Sequence, residues 1–313
     1  MRTESPGPES APDHTEFVTT RAGHLLHTET FEPATPSAST PRTLLMIMGG
    51  NAPCFAFPSP LCRAIADAGH RVVRYDHRGA GYSSPVHHPA ESYALDDLAS
   101  DAAEVVEGLR LGAPVVYGIS TGGAVAQLLA LDHPERVSGL VLMATSPDYN
   151  VTPSLPPESG LPLPGPEWRS LVESLAASPP TVHAEVVESF LDAWRVCVGP
   201  ETPFDEGHWR GLVERTLSLP GNPTPGAHQG PAVDAAPPRT ERLAAVRVPT
   251  LVIHGGQDVV LPPEHGRALA AAIPDARLVE IPELGHMFTP EFAPRLAELL
   301  VEHLESTPAP TVS

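Results

Sequence analysis

Three polar residues in this chain have the types and spacing that serine-based nucleophilic chemistry requires. Ser120 lies in Gly118-Ile119-Ser120-Thr121-Gly122, Asp258 follows His254-Gly255-Gly256-Gln257, and His286 follows Leu284-Gly285. A serine hydroxyl is a poor nucleophile at neutral pH. It needs a base within hydrogen-bond reach, and that base needs an orienting acid. The chain order Ser, Asp, His is the one expected behind a Gly-x-Ser-x-Gly turn. In this scheme His286 takes the Ser120 proton and returns it to the leaving alkoxide. Asp258 holds the imidazole in the required tautomer and stabilises the imidazolium. The five-letter pattern alone is common by chance and also fits a glycine-rich turn with an ordinary serine, so its setting must decide.

Other residues compete for each role. Of the fifteen histidines, His254 lies inside a strand end, His133 closes a helix, and His87-His88 fall in a loop. His286 is therefore the preferred base. For the acid, Asp148, just past an apolar strand, stays open as an alternative to Asp258. The developing oxyanion needs two preorganised donors. The Thr121 N–H at the start of a helix is one, favoured by the helix dipole. The other is assigned to Gly50, in the loop after Thr43–Met48, where glycine allows close backbone approach; a simple turn there remains the alternative.

The elements that must position these groups alternate. Runs at Thr43–Met48, Arg71–Tyr75, Ala113–Tyr117, Val137–Met143, Pro249–His254 and Arg277–Ile281 read as strands, and the fully apolar Thr43–Met48 is typical of one covered on both faces. Helical spacing marks Pro60–Gly69, Leu95–Leu109, the segment after Ser120, and Glu264–Ala272. It also marks a closing helix with Phe292, Leu296, Leu300 and Leu304. Phe17–Phe31 reads as an opening hairpin. The expectation is an α/β fold with a doubly wound, mostly parallel sheet. Such sheets gather polar groups at the carboxyl ends of strands, where Ser120, Asp258 and His286 all lie.

The alternation breaks after Ser146. Residues 147–240 hold 17 of the chain's 39 prolines and all three tryptophans, with helical pieces at Trp168–Ala177, Val182–Val196 and Trp209–Leu217. This segment is expected to be an inserted helical cap. The core is expected over 15–146 and 241–305, between disordered tails at 1–14 and 306–313. The sheet region lacks tryptophan, so some of Trp168, Trp194 and Trp209 are expected to face a ligand and at least one to pack the cap's own core.

Composition narrows the function classes. Formal charge is −19, which makes nucleic acid and anionic membranes poor partners. The chain has no lysine, which excludes Schiff-base and P-loop mechanisms. Cys54, Cys62 and Cys197 form neither a disulfide framework nor a zinc motif and read as small buried hydrophobes. No signal peptide and no run of about 18 apolar residues is present, so a soluble cytoplasmic protein is expected, monomer or homodimer, needing no cofactor or metal.

From the Phe17 region to the final helix the chain resembles an α/β-hydrolase, and it is most similar to the aclacinomycin methylesterase group. The resemblance rests on Met48-Gly49-Gly50-Asn51, Arg74-Tyr75-Asp76-His77-Arg78, Gly118-Ile119-Ser120-Thr121-Gly122, Trp194-Arg195, Pro203-Phe204-Asp205, Thr250-Leu251-Val252-Ile253 and Gly285-His286. It implies removal of a methyl ester from an anthracycline, with Ser120 as nucleophile, Asp258 as acid, His286 as base, and Gly50 with Thr121 as oxyanion donors. Asp76 matches a loop aspartate that is normally structural. Thr121 stands where the group usually has methionine, which alters one pocket wall.

The combined expectation is a cofactor-free serine esterase acting on a bulky small-molecule natural product. Asn51, Tyr149, Trp194, Phe204, Trp209 and Met287 are expected to line its pocket. The alternatives are a lactone or macrolide esterase, a cofactor-free perhydrolase, and a non-hydrolytic small-molecule binder or cyclase.

Overall fold

A computed structural model of the protein describes residues 11–35, 41–50, 52–87, 90–148, 160–219 and 229–308. Eight strands form one sheet: β1 (His14–Thr19), β2 (Leu25–Phe31), β3 (Thr43–Ile47), β4 (Arg71–Tyr75), β5 (Val115–Ile119), β6 (Gly139–Met143), β7 (Thr250–Gly255) and β8 (Arg277–Ile281). Their order is β1-β2-β4-β3-β5-β6-β7-β8. β1, β2 and β4 pair antiparallel; every pair from β4 through β8 is parallel.

The central strands are apolar along their whole length because both faces of the sheet are covered. Side chains alternate between faces with period two. Leu44, Met46, Val115, Tyr117, Ile119, Val141 and Met143 join one core with α1 (Ser59–Asp67) and α9 (Ala293–Ser306). Leu45, Ile47, Val116, Leu140 and Leu142 join the other, with α2 (Leu95–Gly108) and α3 (Thr121–Asp132). Each such fully buried side chain contributes about 1.5–3 kcal/mol. α3 is buried all round from Thr121 to Ala130, consistent with its unbroken apolar text Ala124-Val125-Ala126 and Leu128-Leu129-Ala130.

At the junction of β5 and α3 the chain turns sharply between closely packed backbones. A Cβ on Gly118 would overlap the Gly122 carbonyl oxygen, and one on Gly122 would overlap the Ile47 carbonyl oxygen of β3. The first turn of α3 therefore abuts the end of β3 with no side chain between. The chain can turn this sharply only by placing Ser120 in the left-handed region, at φ 52°, a conformation that costs a non-glycine residue energy. Hydrogen bonds hold it there: Ser120 N donates to Met143 O at 2.9 Å, and Thr145 Oγ1 donates to Ser120 O at 2.8 Å.

Between β6 and β7 lie α4 (Pro166–Ala177), α5 (His183–Val198), α6 (Glu206–Leu217) and α7 (Gln229–Asp234). The first three match the helical spacing in the sequence. α7 lacked enough periodicity to be read there. Asp205 caps α6 by accepting from His208 N at 3.1 Å. Both ends of this excursion are tied to the core. Gly165 N donates to Val259 O at 2.7 Å, and the Asp148 carboxylate accepts from Arg239 N at 2.6 Å and from Thr240 Oγ1. α8 (Pro263–Ala272) then follows β7. No helix among the described residues is long and apolar enough to cross a membrane.

Gly122→Ala is expected to destabilise the protein by about 3 kcal/mol or more, because backbone faces backbone there and neither side can yield. Gly211→Ala, mid-α6 with nothing within 4 Å of its added methyl, is expected to stabilise by up to about 1 kcal/mol. Urea midpoints of the two variants against wild type check this contrast.

Candidate active site

Ser120 is the N-cap residue of α3, a position where a serine hydroxyl normally accepts from the helix's own N–H groups. Here it makes no such bond. The left-handed backbone turns the hydroxyl away from the helix, and Ser120 Oγ lies 3.0 Å from His286 Nε2. On the other side of the ring, His286 Nδ1 lies 2.8 Å from Asp258 Oδ2. A carboxylate only accepts, so Nδ1 carries the proton and Nε2 is left free to accept from the Ser120 hydroxyl.

The loops after β7 and β8 meet because glycine allows it. A Cβ on Gly255 would overlap the carbonyl oxygens of Leu284 and Gly285. This contact places Asp258 opposite His286. Asp258 Oδ1 accepts from Val260 N at 2.9 Å and Leu261 N at 2.8 Å, which fixes the carboxylate plane. Its other oxygen faces a second histidine, His254, whose Nε2 is 3.4 Å away and also 2.8 Å from Leu261 O. Burial pushes the Asp258 carboxyl up, but the facing His286 and His254 outweigh it and hold the group well below the usual carboxylate range. Burial alone would push His254 down, yet its bond and charge interaction with Asp258 leave it raised.

His286 is also held from the α4–α7 side. His286 N and Met287 N both donate to Cys197 O at the end of α5, at 2.6 and 3.1 Å. A side chain on Gly285 would overlap that same carbonyl. The loop after β3 is braced separately: His77 Nε2 donates to Met48 O at 3.1 Å. Asp76 accepts from Cys54 N at 2.6 Å, Tyr82 N at 2.9 Å and His27 Nδ1 at 3.1 Å, which ties its own loop after β4 to the segment after β3 and to β2.

Ser120 and His286 open onto a cavity of about 280 Å³. Gly49, Gly50 and Thr121 form its floor beside Ser120; Trp168, Phe190 and Trp194 form the aromatic wall opposite. Met287 lies on it as expected. No Asp, Glu or Arg lines it among the described residues, so the space suits a neutral, largely apolar molecule. The N–H groups of Thr121 and Gly50 have no partner among the described residues and remain available.

Several expected positions differ. Trp209 is 2% exposed and stacks on Trp194 with ring centroids 4.9 Å apart, and Phe204 stacks on Trp209 at 5.9 Å. Both pack behind the wall rather than on the Ser120 cavity, because Trp194 occupies the space between. Asp148 is turned to Arg239 and Thr240 and makes no bond to His286. Asn51 and Tyr149 lie outside the described residues. Phe190 and Ala193 reach the cavity without having been singled out. With Trp194 and Cys197 they form a stripe at helical spacing along α5, a pattern that core packing alone would also produce.

His27, Glu29 and Cys54 come close enough to suggest a metal set. Their chemistry argues otherwise. Glu29 is paired with the Arg74 guanidinium at 2.7 Å, and His27 with Asp76. Burial, with the Asp76 carboxylate nearby, pushes the Cys54 thiol well above its ordinary range. A protonated thiol beside a guanidinium is a poor cation ligand.

A sequence profile of the alpha/beta hydrolase fold matches residues 42–293. The chain belongs to this family. It is 36% identical over 256 residues to the rhodomycin D methylesterase of Streptomyces peucetius, covering 78% of this chain and 84% of that protein. Among solved structures it is similar to an esterase from Exiguobacterium antarcticum, with a TM-score of 0.74 and 22% identity over 93% of this chain and 99% of that one. It is also similar to the enol-lactonase from Burkholderia xenovorans, with a TM-score of 0.69 and 20% identity over 93% of this chain and all of that one. At these identities the structural likeness speaks to the hydrolase fold alone, which hosts many chemistries.

Asp258→Asn is expected to lower turnover about a thousandfold or more, because the amide cannot stabilise the imidazolium. Asp148→Asn is expected to leave turnover within about tenfold of wild type, loosening only the return to β7. Single-turnover rates of the two variants check the assignment. The depressed Asp258 carboxyl also has a stability signature. Its contribution is present in full above pH about 4 and is lost as pH falls toward the native-state value, because the unfolded chain binds the proton first. The urea midpoint difference between wild type and Asp258→Asn is expected to narrow below that pH.

Proposed function

We propose that this protein is a serine carboxylic-ester hydrolase that works through an acyl-enzyme on a bulky, neutral natural-product ester. A methyl ester carried by an aromatic polyketide is the leading substrate. The observation that carries this reading is the hydrogen-bonded chain from Asp258 through His286 to Ser120, ending on an aromatic-walled cavity. The likeness to a rhodomycin D methylesterase supports the substrate class.

The reaction runs in two halves. Ser120 Oγ attacks the ester carbonyl as His286 Nε2 takes its proton, and the carbonyl oxygen becomes an oxyanion facing the N–H groups of Thr121 and Gly50. Collapse breaks the bond to the alkoxy oxygen, and His286 returns its proton so that methanol leaves. Water then attacks the acyl-enzyme with His286 again as base, and Ser120 is regenerated with release of the carboxylic acid. Asp258 stays ionised throughout. No cofactor enters either half.

The aromatic wall supplies the binding energy. A planar polycyclic acyl group would stack against Trp168 and Trp194, and the stack of Trp209 and Phe204 behind Trp194 keeps that indole from yielding.

A fluorophosphonate probe is expected to label wild type at Ser120 and not Ser120→Ala, whose turnover falls by about ten-thousandfold or more. Absence of label on wild type overturns the reading. Product mass tests the substrate: a methyl ester loses one methylene on conversion to its acid, whereas lactone opening adds one water. Trp194→Ala is expected to reduce the preference for a polycyclic methyl ester over p-nitrophenyl acetate about tenfold in kcat/KM.

A further inference from the structure

We infer that the Thr121 side-chain hydroxyl is a third donor to the oxyanion, acting beside the backbone N–H groups of Thr121 and Gly50. The inference rests on the ester-hydrolase reading above and concerns the same cavity.

The geometry is specific. Thr121 is 7% exposed and lies on the wall of the Ser120 cavity. Among the described residues its hydroxyl makes no hydrogen bond, and it is not sealed from the cavity's solvent. An ideal Cβ on Gly50 would come within 3.1 Å of Thr121 Oγ1, and one on Gly49 within 3.3 Å of Ser120 Cβ. Thr121 Oγ1 therefore lies close against the Gly50 backbone, with Gln229 Oε1 also beside it, next to Ser120. The N–H groups of Thr121 and Gly50, the hydroxyl and Ser120 all border the same small volume. Thr121 is also the first residue of α3, a helix whose N-cap hydroxyl is diverted to His286. The start of α3 thus presents unpaired donors to the cavity rather than to itself.

A cavity-facing hydroxyl that no protein group engages is available to donate to a ligand bound there. A substrate carbonyl is a modest acceptor, but the oxyanion formed from it is a strong one. A donor at this place therefore binds the transition state more tightly than the ground state and acts on kcat. Threonine suits the role better than serine, because its β-branch restricts χ1 and holds the hydroxyl in place before charge develops. The second methyl-sized arm fills cavity wall. No bond forms or breaks at Oγ1; the proton stays on the hydroxyl and is shared with the oxyanion until collapse.

The test compares Thr121→Val, which keeps shape and removes the hydroxyl, with Thr121→Ser, which keeps the hydroxyl. Steady-state kinetics on a hydrolysable methyl ester are paired with inhibition by a trifluoromethyl ketone, whose hemiketal oxygen mimics the oxyanion. The expected result for Thr121→Val is a kcat loss of about 10- to 100-fold with KM within about twofold. Its Ki for the ketone is expected to rise by a similar factor, while Thr121→Ser stays within about fivefold of wild type on both measures. Thermal melts report folding; if the valine variant does not fold, Thr121→Ala takes its place against Thr121→Ser.

Wild-type kcat and Ki in the hydroxyl-free variant overturn the inference. So does a loss confined to KM, which marks a ground-state contact, or an equal loss in the serine variant, which marks packing. If these occur while wild type hydrolyses the ester and Ser120→Ala does not, the inference alone fails. If wild type neither hydrolyses esters nor takes the fluorophosphonate, both readings fall together.

Discussion

The contact on which the rest depends is backbone against backbone, where the first turn of α3 meets the end of β3. Gly122 abuts the Ile47 and Met48 carbonyls, and Gly118 lies under Gly122. With no side chain available as a spacer, the chain must reverse within one residue, and Ser120 takes the left-handed conformation that this requires. The hydroxyl is thereby lost to the helix as a cap and delivered to His286. The same closeness brings the Gly49-Gly50 loop beside Ser120, so one packing constraint places the Ser120 hydroxyl and the N–H groups of Gly50 and Thr121 on one cavity. The strain at Ser120 is carried by the ladder bond to Met143 O and by Thr145, both in or just after β6, the adjacent strand.

The second half of the site is built from the loops that follow β7 and β8. Asp258 is fixed by the N–H groups of Val260 and Leu261 in its own turn. His286 is fixed by the carboxylate on one side and by Cys197 O through its backbone on the other. The carboxylate stays charged because two histidines face it in a buried setting where an isolated charge would be expensive. An ionised acid, a ring with its proton on Nδ1 and an unprotonated Nε2 facing the serine are then one consistent state.

Much of this was legible in the residues. Apolar runs of five or six residues ending in Gly-Gly or Gly-x-Ser marked the strand ends, and the order of Ser120, Asp258 and His286 along the chain matched the order in which those ends meet. The parallel sheet and its opening hairpin followed from alternation alone. What stayed hidden involves direction rather than type. Trp194 and Trp209 have equal claims on a cavity as residues, but only one can be in front, and 4.9 Å stacking put Trp209 behind. Asp148 is a carboxylate at a strand end like any triad acid. Its partners, Arg239 and Thr240, lie more than ninety residues away, and no local pattern announces them. Phe190 and Ala193 show only helical spacing, which a packed face and a binding face share.

The bond from His286 to the end of α5 bears on how such a protein could be refitted for another ester. The simplest exchange would replace the whole segment between β6 and β7, cut where the sheet ends. Here the carbonyl that seats His286 belongs to that segment, and Gly285 is small because Cys197 lies against it. A graft replacing all four helices would carry off part of the mounting of His286 along with the old aromatic wall. The swappable unit stops short of Cys197: the last turn of α5 behaves, in engineering terms, as a piece of the core that happens to be encoded in the insertion.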